Sequence, residues 1–407
     1  MKTLAAAAPS AVSAVSAGAL LVLTGLLGLQ PLSTDLYLPA LPALGRHFDA
    51  PATAVQATLS AFIAAFAFAQ LLVGPLSDRF GRRPVVLGGL VLFLLGSIAA
   101  ALATSLAWLI AMRVAQALGV CCTVLCARAI VRDLYDPDAG TRVMARALGW
   151  MTLVTLLGPI GGGLLQTAFG WRAAFAALSV IAVLLLATAL FVLPETNRHR
   201  ERSATRPGAL LSNYLRIARS PVFRAFAFTA TGSYCSLFAF ISGSSFVLIG
   251  ALGMEPAAYG LAFGFVTLGF LPGTLLTRRL QPRLGIGRTA ALGGAVAAFA
   301  GLAMAGLALA GVSSVPAIVL PMFLMLLSHG LLQPTCQVGA IADFPRNAGA
   351  AAALLGFFMH LVAALVGALL GAIHDGSTLP MAATIGTIST LTALSSLRLP
   401  RACPPAS

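Results

Sequence analysis

Asp35 and Arg113 are ionisable residues set inside long apolar runs of a 407-residue chain that is 59% hydrophobic and only 9% charged. The bilayer penalises a charge within a span, so such a residue is a functional candidate by default. An acid and a guanidinium at one depth in a low-dielectric setting can perform proton chemistry. A facing Arg113 favours the Asp35 carboxylate, whereas removal from water favours the protonated acid. Cavity opening or ligand entry tilts that balance, which is what proton exchange requires. The same residues also fit a fixed ion pair that sets helix packing, or an Asp35 that lies in the outer headgroup zone.

Other chemistries find little support. The histidines stand far apart at His47, His199, His329, His360 and His374, so no metal site is expected. Neither Gly-x-x-x-x-Gly-Lys-Ser/Thr nor His-Glu-x-x-His occurs, which argues against an ATP-driven pump and a metalloenzyme. The net charge of +14 comes without a basic arm or basic-aromatic interleaving, so no nucleic-acid partner is expected. Cys121, Cys122, Cys126, Cys235 and Cys336 fall in apolar runs and Cys403 in the tail. They read as small packing residues, with no disulfide framework.

The elements that position these residues are transmembrane helices. A soluble domain carries about 25% charged residues, and a helix needs about 20 apolar residues to cross the hydrocarbon core. Apolar runs predict spans near 17–39, 53–76, 84–104, 106–127, 143–166 and 172–193. A second set is expected near 222–250, 257–277, 289–311, 314–340, 348–372 and 378–397. Barrel-type alternation is absent. The first run continues past any signal-peptide cleavage pattern and is read as a retained helix.

With both termini in the cytoplasm, 22 of the 25 Lys and Arg lie on the inner side. They include Lys2, Arg198, Arg200, Arg202, Arg206 and Arg401. Arg46 and Arg172 fall outside, and Arg113 lies within a span. The expected architecture is all-α: an N-terminal six-helix bundle over 1–193, a cytoplasmic linker over 194–221 and a C-terminal six-helix bundle over 222–407. A short amphipathic helix is expected near Asn213–Arg219. A degenerate internal repeat supports two halves: Gly74-x-Leu76-x-Asp78-Arg79 follows span two, and Gly273-x-Leu275-x-Thr277-Arg278 follows span eight. Repeats of this kind place a substrate site at their interface near the midplane.

The loop after span two reads Gly74-Pro75-Leu76-Ser77-Asp78-Arg79-Phe80-Gly81-Arg82-Arg83-Pro84. Gly74 permits close helix approach, Gly81 a tight turn, and Asp78 can pair with Arg79, Arg82, Arg83 or a helix N-terminus. Such a charged latch holds one conformation and breaks in another. This string resembles the signature loop of the major facilitator superfamily. Further matches are Gln30-Pro31-Leu32-Ser33-Thr34-Asp35-Leu36-Tyr37-Leu38-Pro39, Arg113-Val114-Ala115-Gln116-Ala117-Leu118-Gly119 and Gly158-Pro159-Ile160-Gly161-Gly162-Gly163. Together they resemble its drug:proton antiporters with 12 spans, in the bicyclomycin- and chloramphenicol-resistance branch.

The resemblance implies alternating access, proton coupling at Asp35 and Arg113, and an antiporter motif at Gly158, Pro159, Gly162 and Gly163 that restricts leak. Val154 departs from the longer version of that motif. Polar stripes at helical spacing supply candidate cavity residues: Gln30, Thr34, Tyr37, Gln70, Gln116, Ser233, Tyr234, His329 and Gln333. The expected protein is an inner-membrane, proton-coupled exporter of a small amphipathic drug, monomeric and not an enzyme. It needs no cofactor, because the proton gradient is its energy source. A proton-coupled uptake permease for a small metabolite is the alternative, and a passive channel is the third reading.

Overall fold

The computed structural model describes residues 17–197 and 207–399. Lys2, Arg198, His199, Arg200, Arg202, Arg206, Arg401 and Cys403 lie outside the described residues. The first helix, α1, covers Ala17–Asp35 and stops short of the expected end at 39. A 3-10 turn at Leu38–Ala40 and a short α2 at Leu41–His47 follow, each with proline in its first turn. Proline has no N–H and a fixed φ, so it starts helices readily and continues them poorly. The chain therefore bends at the residues that carry Asp35.

Five long helices complete the first half: α3 (Ala52–Phe80), α4 (Arg82–Ala101), α5 (Leu106–Leu134), α6 (Pro137–Phe169) and α7 (Arg172–Val192). The expected linker region holds α8 (Pro207–Arg219), longer than anticipated. The second half contains α9 (Pro221–Ser245), a π-helical turn at Phe246–Ala251, α10 (Pro256–Leu268) and α11 (Phe270–Leu309). It closes with α12 (Val315–Ile341), α13 (Ala348–Ile373) and α14 (Leu379–Ser396). Ser105 and Ser220 cap α5 and α9 by accepting N–H bonds from Trp108 and Phe223.

Ten segments among the described residues are long and apolar enough to cross a membrane. One of them, Pro256–Leu309, has 54 residues and bends at Gly285, where φ is 78°. Divided there, it is long enough for two spans, whereas the 18-residue α14, where the twelfth span is expected, is not among the ten. The all-helical architecture is thus as expected.

Helices α1, α4, α5 and α7 pack mainly within the first half, and α9, α11, α12 and α14 mainly within the second. The two groups meet along α3–α13 and α6–α10. Large side chains point outward along the spans, including Phe191 at 90% and Leu72 at 62% exposure. Apolar side chains facing lipid incur no cost, so the helices are held by close van der Waals packing. The loops bearing Arg79–Arg83 and Arg128–Arg146 gather at one end, called the basic end below.

Candidate transport site

Arg113 sits in α5 with no exposure to solvent. Its Nη1 donates to the Ser33 carbonyl at 3.1 Å and to Gln116 Oε1 at 2.8 Å. Gln116 Nε2 donates in turn to Ser97 Oγ at 2.7 Å. Three rings surround the guanidinium: Phe62 at 4.1 Å, Tyr37 at 4.8 Å and Phe175 at 6.0 Å from its carbon. Nε and Nη2 have no hydrogen-bond partner. The cation is held by aromatic faces and two oxygens rather than by a counter-charge.

Asp35 ends α1 and is 3% exposed. Thr34 Oγ1 donates to its Oδ1 at 2.9 Å. No ion pair joins Asp35 to Arg113, contrary to the facing arrangement considered from sequence. Arg113 reaches the α1 backbone at Ser33, which places the two groups at one level. Helix positions two apart do not share a face, and Asp35 turns instead into a cavity between the halves.

That cavity has a volume of about 230 Å³. Gln30, Thr34 and Asp35 of α1 face it, with Tyr234 of α9 and His329 of α12 from the second half. Ser233 lies behind this wall, its Oγ 2.9 Å from His329 Nδ1. Of the cavity residues anticipated from sequence, Tyr37, Gln70, Gln116, Ser233 and Gln333 are not in its lining. Tyr37 packs on Arg113, and its hydroxyl bonds to Thr58. Gln70 Nε2 lies 3.0 Å from His360 Nδ1 at the α3–α13 contact. Gln333 Nε2 reaches Met359 Sδ at 3.5 Å. A polar stripe says that a helix has a wet or bonded face, but the partner that faces it depends on packing.

Sequence reasoning missed the α6 wall. Met151, Thr152 and Thr155 line the cavity, joined by Thr267 and Phe270 from the second half. Thr155 and Thr152 stand one and nearly two turns before the Gly158-Pro159 motif, and that spacing was the available signal. Phe175 gave no signal, and Phe62 read as core, lipid contact or a drug-facing wall rather than a partner of Arg113, because one more Phe in an apolar helix looks like core.

The glycines of the Gly158–Gly163 segment back this cavity. A side-chain carbon at Gly158 would come within 3.2 Å of Asp35 Cβ. One at Gly162 would collide with the Leu36 carbonyl, and one at Gly163 with the Pro256 carbonyl at the start of α10. These glycines let α6 touch the α1 bend on one side and α10 on the other. The contact lies towards the end opposite the basic loops. Thr53 Oγ1 of α3 also donates to the Gly371 carbonyl of α13 at 2.8 Å at that end.

The charged loop lies at the basic end. Arg82 Nη1 pairs with Asp78 Oδ1 at 2.6 Å, and Arg82 Nε with Asp133 Oδ2 at 3.1 Å. Arg83 Nη2 donates to the Leu190 carbonyl at 2.9 Å, and Arg79 lies 5.1 Å from the Phe80 ring. Gly74 accepts Ser77 Oγ at its carbonyl. Gly81 has φ 105° and ψ 156°, a region open to glycine alone. The segment after α7 packs onto this charged loop: Glu195 Oε1 accepts from the Arg82 and Asn197 N–H groups, each at 2.9 Å. Asn197 Nδ2 donates to the Asp78 carbonyl at 2.8 Å. Asp133, Glu195 and Asn197 were not singled out as latch residues from sequence, because their proximity arises only on folding.

The chain is similar to known membrane transporters. The chain is 27% identical over 366 residues to a Bicyclomycin resistance protein homolog of Haemophilus influenzae, covering 90% of this chain and 92% of that protein. A Chloramphenicol resistance protein of Pseudomonas aeruginosa is 29% identical, with 80% and 77% covered. Multidrug resistance protein D of Escherichia coli is 28% identical, with 84% and 85% covered. Among solved structures, a peptide transporter POT superposes with TM-score 0.75 at 16% identity, covering 94% of this chain and 93% of that one. A D-xylose-proton symporter gives TM-score 0.72 at 16% identity, with 93% and 97% covered. These structures share the fold. The Major Facilitator Superfamily profile matches residues 12–368, and the chain belongs to that superfamily of membrane transporters.

Proposed function

We propose that this transporter exports a small amphipathic drug in exchange for protons, by alternating access across a bacterial inner membrane. The observation that carries the reading is Asp35, a buried acid in the wall of a cavity shared by both halves and packed against Gly158. Drug-resistance relatives that match along most of the chain support the substrate class. Asp35 carries the proton. Arg113 supplies a fixed positive charge at the same level, and the cavity residues bind drug. The proton gradient is the energy source, with no cofactor and no catalysed reaction.

The halves over 1–193 and 222–407 rock about the cavity as a monomer, joined by the 194–221 linker. Both termini are cytoplasmic, in keeping with the Lys and Arg bias. In this state the α6–α10 contact closes the periplasmic side, and its glycines limit leak.

The test is proton movement in inverted vesicles, followed with a pH-sensitive dye on addition of candidate drugs. Drug-evoked proton efflux is expected from the wild type and not from Asp35→Asn, with equal insertion of both. Full coupled transport by the variant would refute the role of Asp35. Accumulation of a labelled metabolite in place of drug exclusion would favour the uptake permease.

A further inference from the structure

A second crevice, of about 540 Å³, lies away from the central cavity on the membrane side of α9, α13 and α14. Its floor is buried and apolar, with Phe223, Ala227 and Cys235 of α9. Its rims are exposed, with Phe228 at 58%, Leu391 at 50% and Val362 at 37%. Arg224 stands at the mouth, at the basic end, and is exposed.

Three observations define what fits. First, eleven residues separate Arg224 from Cys235 along α9. At 1.5 Å per residue the crevice runs about 17 Å, roughly half of the ~30 Å hydrocarbon core. That is the depth of one leaflet. Second, the mouth lies beside α8, whose last turn carries Arg216 and Arg219 and whose Leu211 and Leu215 are exposed. Exposed leucines beside basic residues mark a helix lying at the membrane interface. Third, no Asp or Glu occurs in α8, α9, α13 or α14. Among the described residues Arg224 has no ion-pair partner.

We propose that this crevice binds one acyl chain of an anionic phospholipid from the leaflet at the basic end, with its phosphate on Arg224. The apolar floor takes the chain. The guanidinium takes the phosphate, a pairing favoured by geometry and charge. A zwitterionic lipid gains less, because its own cation competes at the unopposed basic mouth.

The test is native mass spectrometry of the full-length protein in detergent, titrated with phosphatidylglycerol or phosphatidylcholine. The wild type should retain a first phosphatidylglycerol more tightly than later ones and more tightly than phosphatidylcholine. Arg224→Gln should weaken that first site about fivefold, as expected for one basic residue near an anionic lipid, and Arg224→Lys should restore most of it. Val362→Trp, which fills the crevice from its exposed rim, should lower first-site occupancy by both lipids. Thermal melting identifies any variant that has not folded, and the remaining variants still decide the outcome. Equal binding of the two lipids by the wild type overturns the proposal. So does wild-type retention by Arg224→Gln together with Val362→Trp, or displacement of the crevice lipid by a transported drug.

Discussion

At Arg113, a buried guanidinium with two unpartnered nitrogens is a costly arrangement. Desolvating a charge without full pairing costs several kcal/mol, and three aromatic faces return only part of that. A side chain kept for packing alone would be replaced by an apolar one at no loss. Arg113→Met should therefore melt in detergent no lower than the wild type while losing drug-evoked proton efflux. A clear drop in the melting midpoint would assign Arg113 a structural role. The sequence singled out both charged residues, because a charge in an apolar run is visible without any structure. It did not reveal that Phe62, Tyr37 and Phe175 would take the place of a counter-ion, since those side chains come from α3, the turn after α1 and α7.

Among the elements, two glycine-bearing segments do different work at opposite ends. In α6, Gly162 and Gly163 set how near α1 and α10 can come. Gly163→Ala should push the Pro256 carbonyl away, at a cost of about 1–3 kcal/mol for overpacking. Vesicles bearing it should show a faster proton leak without drug than wild-type vesicles; an unchanged leak rate would remove the sealing role. At the α3–α4 turn, Gly81→Ala would both strain the backbone, by about 1–3 kcal/mol, and strike the Glu195 carboxylate. It should lower the melting midpoint more than Glu195→Gln, which keeps the acceptor oxygen. The reverse order would mean that the Glu195 charge, and not the turn, holds the latch. Both motifs were legible as strings. The residues they press against were not, since Pro256 lies 93 positions from Gly163 and Glu195 lies 114 from Gly81.

For the whole molecule, the cavity belongs to neither half. Asp35 and Thr155 face it from the first, Tyr234 and His329 from the second. Its volume of about 230 Å³ leaves little spare room, so Thr155→Trp should abolish export of the larger members of a drug panel before the smaller ones. Uniform retention across the panel, measured as drug accumulation in cells, would place the binding site elsewhere.

Hydropathy and charge placement determined by themselves that the chain is a helical membrane protein, because lipid forbids any other use of so many apolar runs. The signature loop and its partner motifs located the charged cluster around Arg82, the glycine contact and the two ionisable residues. Only the tertiary structure decided which polar residues share a cavity. Tyr37, Gln70 and Gln116 have the same chemistry as Gln30 and Thr34, yet each finds a partner in the helix packed beside it. Helical spacing fixes the face on which a side chain stands; the neighbour on that face is set by how helices distant in sequence pack together.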